Sequence, residues 1–293
     1  MRGGTGGDGV RTPPALPPAL PLRAMTAGEV LDAAASLLRE RALPLLGFAA
    51  ILAAGEQALL AVLRERAGLS APAYLPSWDD NIGPWWLIVA TGVTAETVII
   101  ALLGAYAGAA VGPALLGRQV PSGVLWRRTR PVPVLVVAVI LGLLAWPAAL
   151  FGFAPWLVLY GLWGLATPLL TLDRIGNPFR ALARSAALSS RDGGRGFWIR
   201  LLGYLVWFAI RFALGAGWIA VATTFTSVVS GGWVAWAVPV AWGLANTVAY
   251  TALACLDAVL LVETRIRTEG LDIAINRSRS RGEDDAAVLV APR

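Results

Sequence analysis

Long apolar runs broken by short polar stretches dominate the chain. Six of them approach or exceed the roughly 20 residues needed to cross about 30 Å of hydrocarbon, near residues 42–63, 84–112, 131–152, 155–173, 197–220 and 233–262. The turns after the third and fifth runs are short and uncharged, which predicts two helical hairpins. The second run is over-long, so it must tilt or end in a re-entrant or surface piece around Pro113. Shorter segments with a 3.6-residue period flank the runs. Thr26-Ala27-Gly28-Glu29 has the form of a capping box, and the helix it opens carries Val30, Leu31, Ala34, Leu37 and Leu38 on one side. Asp32, Arg39, Glu40 and Arg41 lie on or near the other side or at its end. A second such segment starts at Asn177-Pro178, with Phe179, Leu182 and Ala186 on one side and Arg180 and Arg184 within reach of lipid phosphates. Residues 26–41 and 176–190 are thus expected to lie flat on the membrane, although packing on another protein element is the alternative for the first. The pattern predicts an all-α integral membrane protein with six transmembrane helices plus cytoplasmic-side amphipathic surface helices.

The ends read differently. Residues 1–25 are Gly-rich and then repeat Pro-Pro-Ala-Leu at 13–16 and 17–20, which predicts a disordered cytoplasmic tail of extended form. No apolar run of signal-peptide length follows Arg2 and Arg11. Residues 26–275 form the membrane domain, and 276–293 read as a second disordered cytoplasmic tail in which Ser278 and Ser280 could be phosphorylated.

Composition removes whole classes of function. With 57% hydrophobic and only 14% charged residues, and a mean hydropathy of +0.67, the chain carries more apolar surface than a soluble enzyme of this size could bury. There is no histidine, which excludes a His general base, a Ser-His-Asp triad and any His-dependent metal site. A single cysteine, Cys255, excludes an intrachain disulfide and reads as a small packing residue. No Walker loop, dinucleotide fingerprint or zinc motif is present, and Gly193-Gly194-Arg195-Gly196 reads as loop chemistry. Neither a cofactor nor a metal is expected.

The net charge of +6 comes from 24 basic residues, all arginine, and their positions explain it. With the N-terminus inside, 21 arginines fall on the inner side, only Arg64 and Arg66 fall outside, and Arg211 lies within a span. The positive-inside rule then makes both termini cytoplasmic in a plasma-membrane protein. The charge orients the chain and meets anionic inner-leaflet lipid, so no nucleic-acid partner is needed. On the outer side, residues 64–83 with Tyr74, Trp78, Asp79 and Asp80, followed by Trp85 and Trp86, read as an interfacial belt or a small binding loop.

Two constellations inside the spans could carry more than packing. Gly104, Gly108 and Gly112 recur every four residues and clear one ridge for close approach of a helix, either another span or a second copy. Glu56, Glu96, Arg211 and Asp257 are ionisable residues in apolar runs, where each costs about 2.5–3.5 kcal/mol near the bilayer centre and needs an inward partner. Arg200, Tyr204 and Arg211 share one face of the fifth span, and Asn246, Tyr250 and Asp257 share one face of the sixth with the same spacing. From their depths Arg211 should pair with Glu56 or Glu96, with Tyr250 or Asn246 on its remaining donors. Such a network can fix helix register or line a polar path. Thr94, Thr223 and Thr224 read as backbone-capping hydroxyls rather than nucleophiles.

Four phrases in register carry a family resemblance: Leu22 to Ala34 (LRAMTAGEVLDAA), Leu116 to Val120 (LGRQV), Asn177 to Ser185 (NPFRALARS) and Arg265 to Ala274 (RIRTEGLDIA). Together they resemble a family of six-span actinobacterial membrane proteins of unassigned function, itself loosely similar to the membrane domain attached to some glycerophosphodiester phosphodiesterases. The resemblance covers roughly residues 22–276 and departs at Ser189 to Gly194, a Gly-rich break where relatives read as a continuous basic stretch. It implies the six-span fold with surface helices and no catalytic site. The chain lacks the His and the soluble domain that phosphodiesterase chemistry would need. The expected role is a non-enzymatic polytopic membrane protein, a scaffold or an assembly or accessory subunit of a cell-envelope complex, with a membrane or cytoplasmic protein partner. The alternative is a transporter or lipid-handling channel using the intramembrane Arg/Glu/Asp network. An intramembrane hydrolase ranks third.

Overall fold

A computed structural model describes residues 20–71, 74–217 and 234–290. It is 81% helical, with no strand among the described residues. Six helical segments are long and apolar enough to span a membrane: α2 (Ala42–Arg66), α3 (Ile82–Leu115), α5 (Pro131–Leu150), α6 with α7 (Ala154–Trp163 and Ala166–Leu172), α9 (Arg195–Phe212, continued by a π turn, Ala213–Gly217) and α10 (Val234–Glu269). Short helices α1 (Ala27–Glu40), α4 (Ser122–Arg128), α8 (Pro178–Arg191), α11 (Leu271–Ser280) and α12 (Asp285–Val288) complete the fold. The expected disorder of residues 1–19, the segment 218–233 with Thr223 and Thr224, and Arg293 lie outside the described residues.

The spans alternate in direction and pack around α10 and α3. From Ala245 to Ile266 only Val248 of α10 is exposed, so this helix is the axis of the bundle. At 36 residues it is about 54 Å long, more than a bilayer needs, and its surplus projects at one end as Glu263, Arg265, Arg267 and Glu269. Seventeen of the described arginines gather at that end against Arg64 and Arg66 at the other, with Arg200 and Arg211 buried inside α9. The fit of small to large side chains sets the spacing of the spans. A Cβ on Gly104 would meet Thr167 Oγ1 at 2.7 Å, one on Gly108 would meet Pro168 Cα at 2.6 Å, and one on Gly112 would meet Leu172 Cδ1 at 2.9 Å. The glycine ridge of α3 therefore receives α7 within the same chain. α3 itself runs unbroken through Pro113 to Leu115, and no re-entrant piece forms there.

Three expectations are corrected. The capping box forms as read: the Thr26 hydroxyl accepts the Glu29 N–H at 3.3 Å, and the Glu29 carboxylate accepts the Thr26 N–H at 2.7 Å. The apolar face of α1, however, does not lie open to lipid. Val30, Ala33, Ala34 and Leu37 are buried in the main core against α10, because protein offers that face a denser partner than the interface does. Leu182 of α8 is likewise buried, with Ala181 and Leu170. Residues 20–25 pack on the fold, with Leu20 and Met25 in the core, and residues 276–290 are not a loose tail. Ile275, Ser278 and Leu289 are buried, and Arg265 Nη1 donates to the Leu289 carbonyl at 2.8 Å. Arg118 pairs with Asp284 and Asp285, which clips this segment to the loop after α3. Burial of Ser278 removes it as an accessible phosphorylation site. At Ser189 to Gly194, Gly193 and Gly194 adopt left-handed backbone, the conformation glycine permits without strain. They turn the chain from α8 into α9, and Asp192 accepts the Gly196 N–H there at 2.6 Å.

Candidate functional site

The buried charges occupy two layers about 16 Å apart along α9, eleven residues at 1.5 Å each. In the deeper layer, furthest from the arginine-rich end, Arg211 Nη1 meets Glu96 Oε2 of α3 at 3.0 Å, and both side chains are nearly inaccessible. The Tyr204 hydroxyl approaches the same carboxylate oxygen at 3.4 Å, and the guanidinium lies 5.3 Å from the Tyr250 ring centroid and 5.6 Å from that of Tyr204. Glu56 of α2 sits in the same layer on different partners. Its oxygens accept the Tyr250 hydroxyl at 2.9 and 3.0 Å, and Oε2 accepts Asn246 Nδ2 at 3.1 Å. Of the two carboxylates left open for Arg211, Glu96 takes the ion pair. Tyr250 and Asn246, expected as acceptors for the arginine fork, serve Glu56 instead. A phenol and an amide satisfy a carboxylate without a second cation, while the Arg211 guanidinium lies over the Tyr204 and Tyr250 rings.

The second layer is built around a broken helix. Pro168 has no N–H for the Gly164 carbonyl, so the fourth span stops at Trp163 and restarts at Ala166. The carbonyls freed at the break must find donors, since lipid supplies none. Arg200 Nη1 donates to the Tyr160 carbonyl at 3.0 Å and to that of Gly161 at 3.4 Å. Ser185 and Ser189 of α8 donate to the Leu162 carbonyl at 2.7 and 3.4 Å. Arg200 Nε also binds Asp257 Oδ1 at 2.6 Å, with both side chains buried. Gly164 makes room: a Cβ there would sit 2.5 Å from the Arg200 guanidinium carbon. Beside Asp257, between α3, α5 and α6, is a cavity of about 30 Å³ lined by Thr97, Tyr160 and Thr167, room enough for water.

At the arginine-rich end the carboxylates are shared. Asp173 accepts from Arg265 at 2.7 Å and Arg184 at 2.8 Å, and Glu269 pairs with the same two arginines at 2.9 and 2.8 Å. Burial pushes the Asp173 carboxyl above its ordinary range, while both guanidinium partners pull it back. Glu263 is held by Arg195 and Arg267, and both arginines also donate to the Met25 carbonyl. These clusters escape a reading of arginine positions alone. Their signal is the set Asp173, Glu263 and Glu269, three acids within a basic stretch.

The eight polar residues singled out within the spans therefore fall into two groups: Glu56, Glu96, Tyr204, Arg211, Asn246 and Tyr250 together, and Arg200 with Asp257. Cys255 is fully buried as a packing residue. Trp86 donates to the Leu150 carbonyl at 3.1 Å, while Trp78 is exposed. No family model, no curated protein and no solved structure matches the chain.

Proposed function

We propose that this chain is a non-enzymatic polytopic protein of the plasma membrane, with both termini cytoplasmic, that acts as a scaffold or assembly subunit of a cell-envelope complex. The observation that carries this reading is the mutual pairing of its buried charges. Glu96 with Arg211, and Asp257 with Arg200, tie α3, α9 and α10 to one another and to the broken fourth span, as a register-fixing network does. The orientation rests on the gathering of arginines at one end. The four phrases that resemble the six-span actinobacterial family all fall at that same end, on α1, after α3, at the start of α8 and across the join of α10 and α11. This favours kinship with that family.

A transport reading has one observation of its own. Glu96 Oε1, Arg211 Nε and Asn246 Oδ1 are buried and have no partner among the described residues, and such atoms would welcome a passing polar solute. The two readings separate in one experiment. The full chain is extracted from native membranes in mild detergent, as wild type and as Glu96→Gln/Arg211→Leu. Scaffolding predicts a stoichiometric protein partner that stays with both. A partner-free chain whose folded double variant loses its cellular activity would overturn it. Orientation is checked in a Cys255→Ala background, where cysteines placed at the exposed Leu75 and Ile273 should react with an impermeant thiol reagent from opposite sides.

A further inference from the structure

We infer that the two clefts meeting at Arg174 form a binding site for the phosphate of an anionic phospholipid headgroup. One cleft, of about 500 Å³, runs between the ends of α3 and α7 and is lined by Arg118, Arg128, Arg130 and Arg174. The other, of about 660 Å³, lies along α8 and is lined by Arg174, Arg180, Arg184 and Arg191. The charges of Arg118 and Arg184 are taken by Asp284, Asp285, Asp173 and Glu269. Arg128, Arg130, Arg174, Arg180 and Arg191 have no carboxylate within 4.0 Å among the described residues, whereas Arg195, Arg265, Arg267 and Arg279 nearby are all paired. A cluster of like charges repels itself unless an anion sits among them. Guanidinium forks match the oxygens of a phosphate.

The backbone is set for this in advance. Arg130 and Arg174 both adopt left-handed conformations, with φ of 53° and 54°, and Arg130 Nη1 donates to the Arg174 carbonyl at 2.6 Å. Two residues in a region unfavourable to side chains are thus held against each other at the mouth of the clefts. Their depth points to lipid rather than to a soluble phosphate. Arg130 directly precedes α5 and Arg174 lies two residues past α7, so both sit where apolar spans end and the headgroup region begins. Close to Arg130 and Arg180 in the chain, Val132 and Phe179 are exposed, apolar side chains suited to the upper acyl region.

The site rests on the arginine-rich end facing the anionic leaflet and not on the scaffold role, so the two can fail separately. The test is native mass spectrometry of the full chain with phosphatidylglycerol or phosphatidylcholine added in detergent. Wild type should retain phosphatidylglycerol preferentially, and Arg128→Gln/Arg174→Gln should lose roughly 30-fold in affinity, from about a factor of five for each surface arginine. Arg277→Gln/Arg281→Gln makes the same change of charge at the same end, away from the clefts, and should keep the preference. Equal losses in both variants, or none in either, would overturn the site. So would displacement of the lipid by millimolar glycerol 3-phosphate, which would assign the clefts to a soluble ligand. Ending the chain at Val290, which lines both clefts, should leave binding unchanged; binding only after this truncation would give the clefts to the chain's own end.

Discussion

Arg211→Leu removes the cation paired with Glu96 among the described residues while leaving the carboxylate 5% exposed in the bundle. Among the described residues the Tyr204 hydroxyl, at 3.4 Å, is the hydrogen-bond donor that remains, too far for a strong bond to a charge. Breaking a buried pair on one side costs about 3–5 kcal/mol, because the surviving charge is neither solvated nor compensated. For a chain of this size each kcal/mol moves the melting temperature by about 2–4 °C, so the variant should melt roughly 6–20 °C lower. Glu96→Gln with Arg211→Leu removes both charges, and its stability should return to within about 1 kcal/mol of wild type. The geometry also names a control. Glu56 is held by Tyr250 and Asn246 and not by Arg211, so Glu56→Gln should not rescue Arg211→Leu. The assay is thermal unfolding of the full chain in one mild detergent, followed by the fluorescence of its 13 tryptophans. Simple addition of the Arg211 and Glu96 losses would refute the pairing, as would rescue by the Glu56 change.

Gly108→Ala should destabilise by about 1–3 kcal/mol, since its Cβ would meet the Pro168 backbone at 2.6 Å. Gly47→Ala, with nothing within 4 Å, should be neutral or stabilising by up to about 1 kcal/mol; equal melting temperatures for the two variants would count against the α3–α7 contact. Glu29 is held down at about 2 by the Arg23 guanidinium first and then by the Thr26 N–H and hydroxyl. A depressed carboxyl stabilises the fold above its ordinary value of 4.5 and loses that contribution as the pH falls toward 2. The protection of α1 amides relative to their intrinsic exchange rate should therefore fall as the pH drops through that window in wild type, and much less in Glu29→Gln.

The spans were legible because length and hydropathy alone decide what can cross a bilayer, and all six formed close to their expected positions. The choice between Glu56 and Glu96 was not legible. Both lie at similar depth, and what separates them is the lateral packing that brings α2 against the Asn246 and Tyr250 side of α10. An amphipathic face says that something must cover it, not what does. In α1 the cover is α10, so a stripe read as facing lipid is core. The break at Gly164 had a signal in Pro168, four residues on, but it was masked by a uniformly apolar run. Leu289 stands as one apolar residue in a charged stretch, with nothing nearby in the chain to show that Arg265 binds its carbonyl and Gly112 leaves room for its side chain.

The broken fourth span has a consequence for how the protein is made. When its two halves have entered the membrane, the carbonyls of Tyr160 and Gly161 are exposed at the break, and their donor, Arg200, is 40 residues further along the chain in the case of Tyr160. The serines of α8 can serve Leu162 as soon as the chain passes residue 189, but the rest waits for the fifth span. Arg200 cannot enter hydrocarbon cheaply without Asp257, which arrives later still with the sixth. Spans four, five and six thus reach a stable state only as a unit. A nascent chain halted between residues 172 and 257 is a bundle with an open seam, which the last helix closes.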